Sequence, residues 1–327
     1  METNVVKIPE EKAIVEAAAY LQGKVMQTPC ISWETDKKND LLGEATKVWV
    51  KLELFQPGGS FKPRGALMNM RQMDAAALEK GITAVSAGNH AIAVAVAARS
   101  MGTHAKVVMP QNANAYRVAT CKKLGAEVVL VANVKEAFDT VEKIRDEEGR
   151  SFIHPFEGEQ TILGTATVGY EFAQQAPKLD AVILPIGGGG LAAGMATAFH
   201  HLQPHCELIG VEPFGADSMY RSLEAASPQS IEKVNTIADS LGAPFALPYT
   251  FGICQQLLSE IVRVEDERLR RTMELMFTDL KLAPEPACAA SLSALLGPLR
   301  ERLAGKRVGV IACGSNIDIK TFMTYLG

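Results

Sequence analysis

Gly58-Gly59-Ser60-Phe61-Lys62-Pro63-Arg64-Gly65-Ala66 is an odd setting for an ordinary surface lysine. The segment before it, Lys47 to Phe55, alternates apolar and polar residues and runs into Gln56-Pro57-Gly58-Gly59, which reads as a strand closed by a turn. Ser60 suits a helix N-cap, and Pro63 falls in the first helical turn, where its missing N–H costs nothing. Lys62 is therefore expected at a strand-to-helix corner with apolar neighbours on the helix that follows. An amine held there, away from bulk water and near the positive end of a helix, loses preference for its proton. A neutral amine is a nucleophile toward aldehydes and forms a Schiff base with them. The same residues also describe a solvated lysine in a first helical turn, and the corner alone does not separate the two.

Outward from this corner, short β-branched runs alternate with helical stretches, the pattern of parallel sheets. Strands are expected at 82–86, 106–109, 127–131, 152–154, 181–185, 207–212 and 307–312. Helices are expected at 89–101, 115–124, 134–148, 161–175, 191–202, 265–280 and 287–304. The stretch 213–251 is rich in Pro, Ser and Gly and reads as loops over a site. The class is α/β, and 327 residues are enough for about two domains.

A net charge of −4 with interspersed signs gives no basic face, so nucleic acid is not an expected partner. The longest apolar runs, such as 91–98, fall far short of the roughly 20 residues that span a bilayer, and residues 1–24 lack an apolar signal core. Six cysteines without a C-x-x-C pair suggest reduced thiols in a cytoplasm.

Two further corners carry chemistry of their own. Four consecutive glycines, Gly187 to Gly190, lie between an expected strand and helix, where bare backbone can approach an anion and aim N–H groups at it. A phosphate is the natural guest. The run also satisfies the G-x-G-x-x-A pattern of a dinucleotide site, with Glu212 closing the next strand, so a nicotinamide-dependent oxidoreductase stays open as a reading. Ser86-Ala87-Gly88-Asn89-His90 offers side-chain donors and a helix start suited to a carboxylate. With Cys313-Gly314-Ser315-Asn316, all these motifs fall at carboxyl ends of expected strands, where open α/β sheets place ligands.

In their order, these motifs resemble the serine/threonine dehydratase family, part of the β-family (fold type II) of pyridoxal-phosphate enzymes, which includes serine racemase. The resemblance runs from about Pro29 to Asp318. It implies two open twisted α/β domains with the cofactor in the cleft between them: a large cofactor-binding domain, 1–72 and 159–327, and a small mobile one, 73–158. It implies that Lys62, beside Phe61, binds pyridoxal 5'-phosphate covalently and is the acid/base on one face. Gly187, Gly188, Gly189 and Gly190, with Leu191, would hold the phosphate, Asn89 the phenolic oxygen, and Cys313 would face the pyridine nitrogen. Ser86, Ala87, Asn89 and His90 match the loop that binds the substrate carboxylate. A homodimer acting on a small amino acid is implied as well. The short tail after Asn316 leaves no expectation of feedback control by an end-product amino acid.

A thiol opposite the pyridine nitrogen cannot stabilise a pyridinium as a carboxylate would, so the ring is a weaker electron sink. Early loss of a β-leaving group avoids a long-lived carbanion, and β-elimination is expected over transamination. The expected reaction converts a β-hydroxy amino acid to a 2-oxo acid and ammonia. The candidates are threonine, serine, or a bulkier or acidic analogue such as phenylserine, 3-hydroxyaspartate or a hydroxyectoine-degradation intermediate. Racemases of the family carry a serine where this chain has Ala87, so racemisation is not expected. Phe156, in His154-Pro155-Phe156, matches dehydratase members. The family's cation site would fall on Glu212 and Ala216, but Ser218 stands where an acid is usual, which weakens a divalent cation; a monovalent ion is the other option. Ser240 departs from a usual glycine and is expected to reshape the pocket.

Overall fold

The structure, a computed structural model, describes residues 6–327. Its strands, in chain order, are β1 (Cys30–Ser32), β2 (Lys47–Lys51), β3 (Ile82–Val85), β4 (Ala105–Pro110), β5 (Glu127–Val131), β6 (Ser151–Phe152), β7 (Ala181–Pro185), β8 (Glu207–Pro213), β9 (Glu260–Val264) and β10 (Arg307–Ile311). They form two separate sheets. The larger has the order β1-β2-β10-β7-β8-β9 and the smaller β5-β4-β3-β6. Every pairing is parallel except β1 with β2. β7 is buried along its whole length, which is why its sequence is a continuous apolar run rather than an alternating one.

Long helices cover the sheets. Glu159–Gln175 packs against Gly190–Leu202 and Pro63–Met70, and Pro63–Met70 packs in turn against Asn89–Ser100. One apolar core, with Val48, Ile183, Ile209 and Val310, lies around the larger sheet. A second core joins Leu67 and Met68 to Ile82, Ile92, Val107 and Leu163, so the helix after Lys62 is buried against the smaller sheet's side of the molecule.

Several elements differ from the sequence expectation, each for a physical reason. The strand before the glycine turn stops at Lys51, and Glu53–Phe55 coil into a 3-10 turn. The fully buried Glu53 carboxylate must face inward to accept from Thr28 Oγ1 at 2.6 Å and from Arg64 Nε and Nη2 at 2.9 Å each. Ser60 is not a helix cap. The helix starts at Pro63 with Lys62 in the N-cap position, while Ser60 bridges Gly314 and buries a hydroxyl with no protein partner. The helix expected to run to 304 ends at Leu295, just before Gly297-Pro298, where the ring and the missing N–H oppose continuation. The stretch 213–251 is not all loop: Ser218–Glu224 is a helix and Pro248–Leu257 begins another.

Candidate active site

Lys62 stands on a buried charged foundation. Two residues along, the guanidinium of Arg64 is fully enclosed and reaches Glu53, Thr167 Oγ1 at 3.0 Å and Glu171 at 2.7 and 2.9 Å. Lys51 at the end of β2 donates to the same Glu171 at 2.7 Å. These pairs fix the first turn of the helix that begins at Pro63. Lys62 itself is half-buried in exposed area but densely ringed by protein atoms, and its Nζ donates to the Pro155 carbonyl at 2.5 Å. Burial lowers its pKa to about 8, against the opposing pull of Cys313 and Glu285. Desolvation is thus the leading cause of its readiness to lose a proton.

The glycine loop leaves β7 and becomes helix at Gly190. Gly189 has φ +90°, a left-handed conformation that side chains rarely adopt. A Cβ at Gly188 would overlap the Phe156 ring, and one at Gly190 would lie 2.6 Å from the Phe156 carbonyl. Only bare backbone fits between these walls. The first amides of the helix have no intrahelical acceptor and form an anion site at its positive end. Lys62, Phe61, Asn89, Gly187 to Gly190, Leu191, Glu285 and Cys313 line one cavity with this loop. The Cys313 thiol is pushed up by its hydrogen bond with Cys288 and by burial, so it stays a neutral thiol. An anion-binding loop and a desolvated amine in one cavity fit a phosphorylated aldehyde.

At the third corner, Ser86 Oγ accepts from the Gly88 amide at 3.1 Å and tightens the turn ahead of the helix Asn89–Ser100. Asn89 is held from both ends: its Oδ1 accepts from Asn316 Nδ2 at 2.7 Å, and its Nδ2 donates to Glu285 Oε1 at 2.5 Å and to Ser240 Oγ at 3.3 Å. His90 turns away from this work. Its Nε2–H donates to the Ile153 carbonyl at 2.8 Å, and burial together with Lys62 lowers its pKa to about 3, so it remains neutral.

A cavity of about 280 Å³ opens between the sheets in front of Lys62. Ser86, Ala87, Gly88, Asn89 and His90 form one rim, and Phe138, Phe156, Phe245, Pro110 and Pro244 supply apolar wall. Arg117, which also lines it, is committed: it pairs with Asp239, lies 3.6 Å from Glu285 Oε2, and donates through Nε to the Asn316 carbonyl at 2.9 Å. Sequence reasoning passed over Arg117, Phe138 and Phe245. Arg117's partners lie more than a hundred residues away, which no local pattern reveals.

The structure offers the cation little. Glu212 is fully buried and accepts the amides of Met219 at 3.0 Å and Tyr220 at 2.7 Å, capping the helix Ser218–Glu224. Burial raises its pKa to about 8. Ala216 is buried beside it, Ser218 Oγ donates to the Ala243 carbonyl, and Asp217 is taken by Arg221 and Arg263. Among the described residues no three acidic, His or Cys side chains gather as a metal cluster. The capping role also removes Glu212 from reach of a ribose, against the dinucleotide reading.

Comparison with known proteins agrees with this geometry. Residues 21–314 match the family model described as pyridoxal-phosphate dependent enzyme. The phenylserine dehydratase of Ralstonia pickettii is 50% identical over 98% of this chain and 97% of its own. The L-threonine ammonia-lyase of Geobacter sulfurreducens is 38% identical over 94% of this chain and 76% of its own. Among solved structures, maize serine racemase superposes with a TM-score of 0.91 at 33% identity, covering 97% of both chains. The glycine loop, the desolvated lysine and these likenesses agree: the chain belongs to the fold type II family of pyridoxal-phosphate dependent enzymes.

Proposed function

We propose that this enzyme is an ammonia-lyase that eliminates water from a β-hydroxy amino acid bearing an aromatic side chain, releasing ammonia and a 2-oxo acid. The observation that carries the substrate class is the wall of Phe138, Phe156 and Phe245 with Pro110 and Pro244 around the cavity. Its volume exceeds the roughly 150 Å³ known to admit benzene. The phenylserine dehydratase that is half identical along nearly the whole chain supports the same class. An acidic side chain, as in 3-hydroxyaspartate, would find the cavity's arginine already paired with Asp239.

Pyridoxal phosphate, when bound, supplies the electron sink that weakens the substrate's α C–H bond. Lys62 would hold it and would take the α-proton with an amine whose pKa burial lowers to about 8. Gly187 to Gly190 and Leu191 would donate amides to the phosphate, with Phe61 lining the same cavity. Asn89, oriented by Asn316 and Glu285, would offer the phenolic oxygen the Nδ2 hydrogen that now makes the long 3.3 Å contact with Ser240. Cys313, which lines the same cavity as a neutral thiol, would be the group near the pyridine nitrogen. Ser86, Ala87, Asn89 and His90 hold the substrate carboxylate, His90 through its backbone because its ring is engaged with Ile153. Ala87 has no proton to give the opposite face, so elimination is favoured over inversion. Glu212 and Ala216 remain the place for a cation only through Ala216's carbonyl, since the Glu212 carboxylate is capping a helix.

Residues 73–158, bearing the smaller sheet, act as a mobile domain against 1–72 and 159–327, and the chain works as a cytoplasmic homodimer; free cysteines and the family resemblance support this part. No helix of the described residues is long and apolar enough to cross a membrane.

The test is a panel of phenylserine, threonine, serine and 3-hydroxyaspartate assayed for 2-oxo acid, beside Lys62→Ala. Burying a phenyl ring rather than a methyl group is worth about 2 kcal/mol, or a factor of about 30 in kcat/KM in favour of phenylserine. Equal rates on threonine, or full activity in Lys62→Ala, overturn the proposal.

A further inference from the structure

We propose that His154 is a positioning residue for Lys62, acting through the turn 154–157 that it ties together. This rests on the reading of Lys62 given above, and it concerns four consecutive residues that each hold something different.

The ring of His154 accepts two backbone amides at Nδ1, from Phe156 at 3.3 Å and from Glu157 at 2.9 Å. An imidazole nitrogen that accepts carries no hydrogen, so the ring proton lies on Nε2. Pro155, inside the turn so formed, presents its carbonyl to Lys62 Nζ. Phe156 lies against the bare backbone of Gly188 and Gly190. Glu157 then crosses to the N-terminus of the helix Pro248–Leu257, where it accepts the Tyr249 amide at 2.7 Å, the Thr250 amide at 3.1 Å and Thr250 Oγ1 at 2.8 Å. The turn follows β6 directly, so it links the smaller sheet to the reactive amine, the glycine loop and the larger sheet's side in four residues.

Only one of these attachments is internal to the turn, and it is His154's. Without an acceptor at Nδ1, the amides of Phe156 and Glu157 lose their partner and nothing local fixes the direction of the Pro155 carbonyl. Burial and the nearby Lys62 charge lower the His154 pKa to about 4, so the ring keeps accepting over the working range. The other titratable groups facing Lys62 are His90 from its helix, Cys313 after β10 and Glu285 ahead of the helix Pro286–Leu295. None of them touches the turn's amides.

The experiment separates an acceptor role from a ring role. In asparagine, Oδ1 sits one bond beyond Cγ, as Nδ1 does in histidine, so His154→Asn restores the acceptor without the ring. His154→Ala removes both, and His154→Leu removes the acceptor while filling the space. Full-length protein stripped of cofactor is mixed with pyridoxal 5'-phosphate, and the rate and pH midpoint of its covalent capture are followed by visible absorbance, beside thermal unfolding. The alanine and leucine variants are expected to capture about tenfold more slowly, the effect of one lost hydrogen bond to Lys62, with the midpoint moved further below that of a free lysine because the ammonium loses its carbonyl acceptor. The asparagine variant is expected within about twofold of the parent. Asparagine as slow as leucine, or leucine as fast as the parent, overturns the proposal. Where the alanine variant fails to fold, leucine and asparagine still decide. Lys62→Ala sets the floor: capture by that variant at the parent rate sinks the reading of Lys62 itself, a failure distinguishable from that of His154.

Discussion

Replacing Lys62 by methionine in the cofactor-free protein removes a charge while keeping an unbranched chain of similar reach. The amine holds its proton to about pH 8 in the fold, against 10.5 for a free lysine. At full effect that difference destabilises the fold by roughly 3 kcal/mol below pH 8. Because the side chain keeps some exposed area, about 2 kcal/mol is the working figure. Unfolded chains bind the proton more tightly, so the parent gains stability as pH rises from about 8 to 10.5, and the penalty is gone above that window. The loss of the bond to Pro155 in the variant costs about 1 kcal/mol and is independent of pH. Calorimetric unfolding of both apoproteins at pH 7 and pH 10 reads the effect as a change in the gap between their midpoints. Methionine should gain on the parent at pH 7 by a few degrees relative to the gap at pH 10, about 2 °C for each kcal/mol in a chain of this size. A gap that is the same at both pH values would refute the idea that the amine is desolvated.

Gly188→Ala should lose cofactor affinity at least about tenfold and stability by about 2 kcal/mol, since its Cβ meets the Phe156 ring; equilibrium dialysis and unfolding midpoints check this. On the proposed reading, Ala87→Ser places a hydroxyl on the face opposite Lys62. Interconversion of enantiomers, read by chiral chromatography, should rise about a hundredfold over the parent while elimination changes little.

Most strands were legible because their signals are local, while β1 and β9 at the edges of the larger sheet were not expected. Ile82–Val85 and Ala181–Pro185 are apolar runs that end in glycine-bearing corners, and period and punctuation suffice to place them. The motifs after β3, β7 and β10 were legible for the same reason, each following a strand end with turn chemistry attached, whereas the lysine corner lies beyond a 3-10 turn rather than at the end of β2. What escaped were elements held by distant groups. The helix Ser218–Glu224 lacks a side-chain cap of its own and takes Glu212 from the end of β8. The helix Pro248–Leu257 is capped by Glu157, over ninety residues earlier. Both lie at the edges of a stretch whose composition reads as loop, because the sequence near them does not contain the group that starts them. Glu53 misled in the opposite direction. Its place in an alternating run suggests strand, yet Arg64 needs its carboxylate indoors, and the backbone follows.

The buried set of Lys51, Glu53, Arg64 and Glu171 beneath the reactive lysine bears on how such a chain can change over generations. Neutralising any one of the four strands its partners in a dry interior, which costs about 3–5 kcal/mol, a large part of what keeps an ordinary fold together. A lineage can therefore alter these positions only in concert, whereas Phe138 and Phe245 in the cavity wall carry none of these charges and can change one at a time.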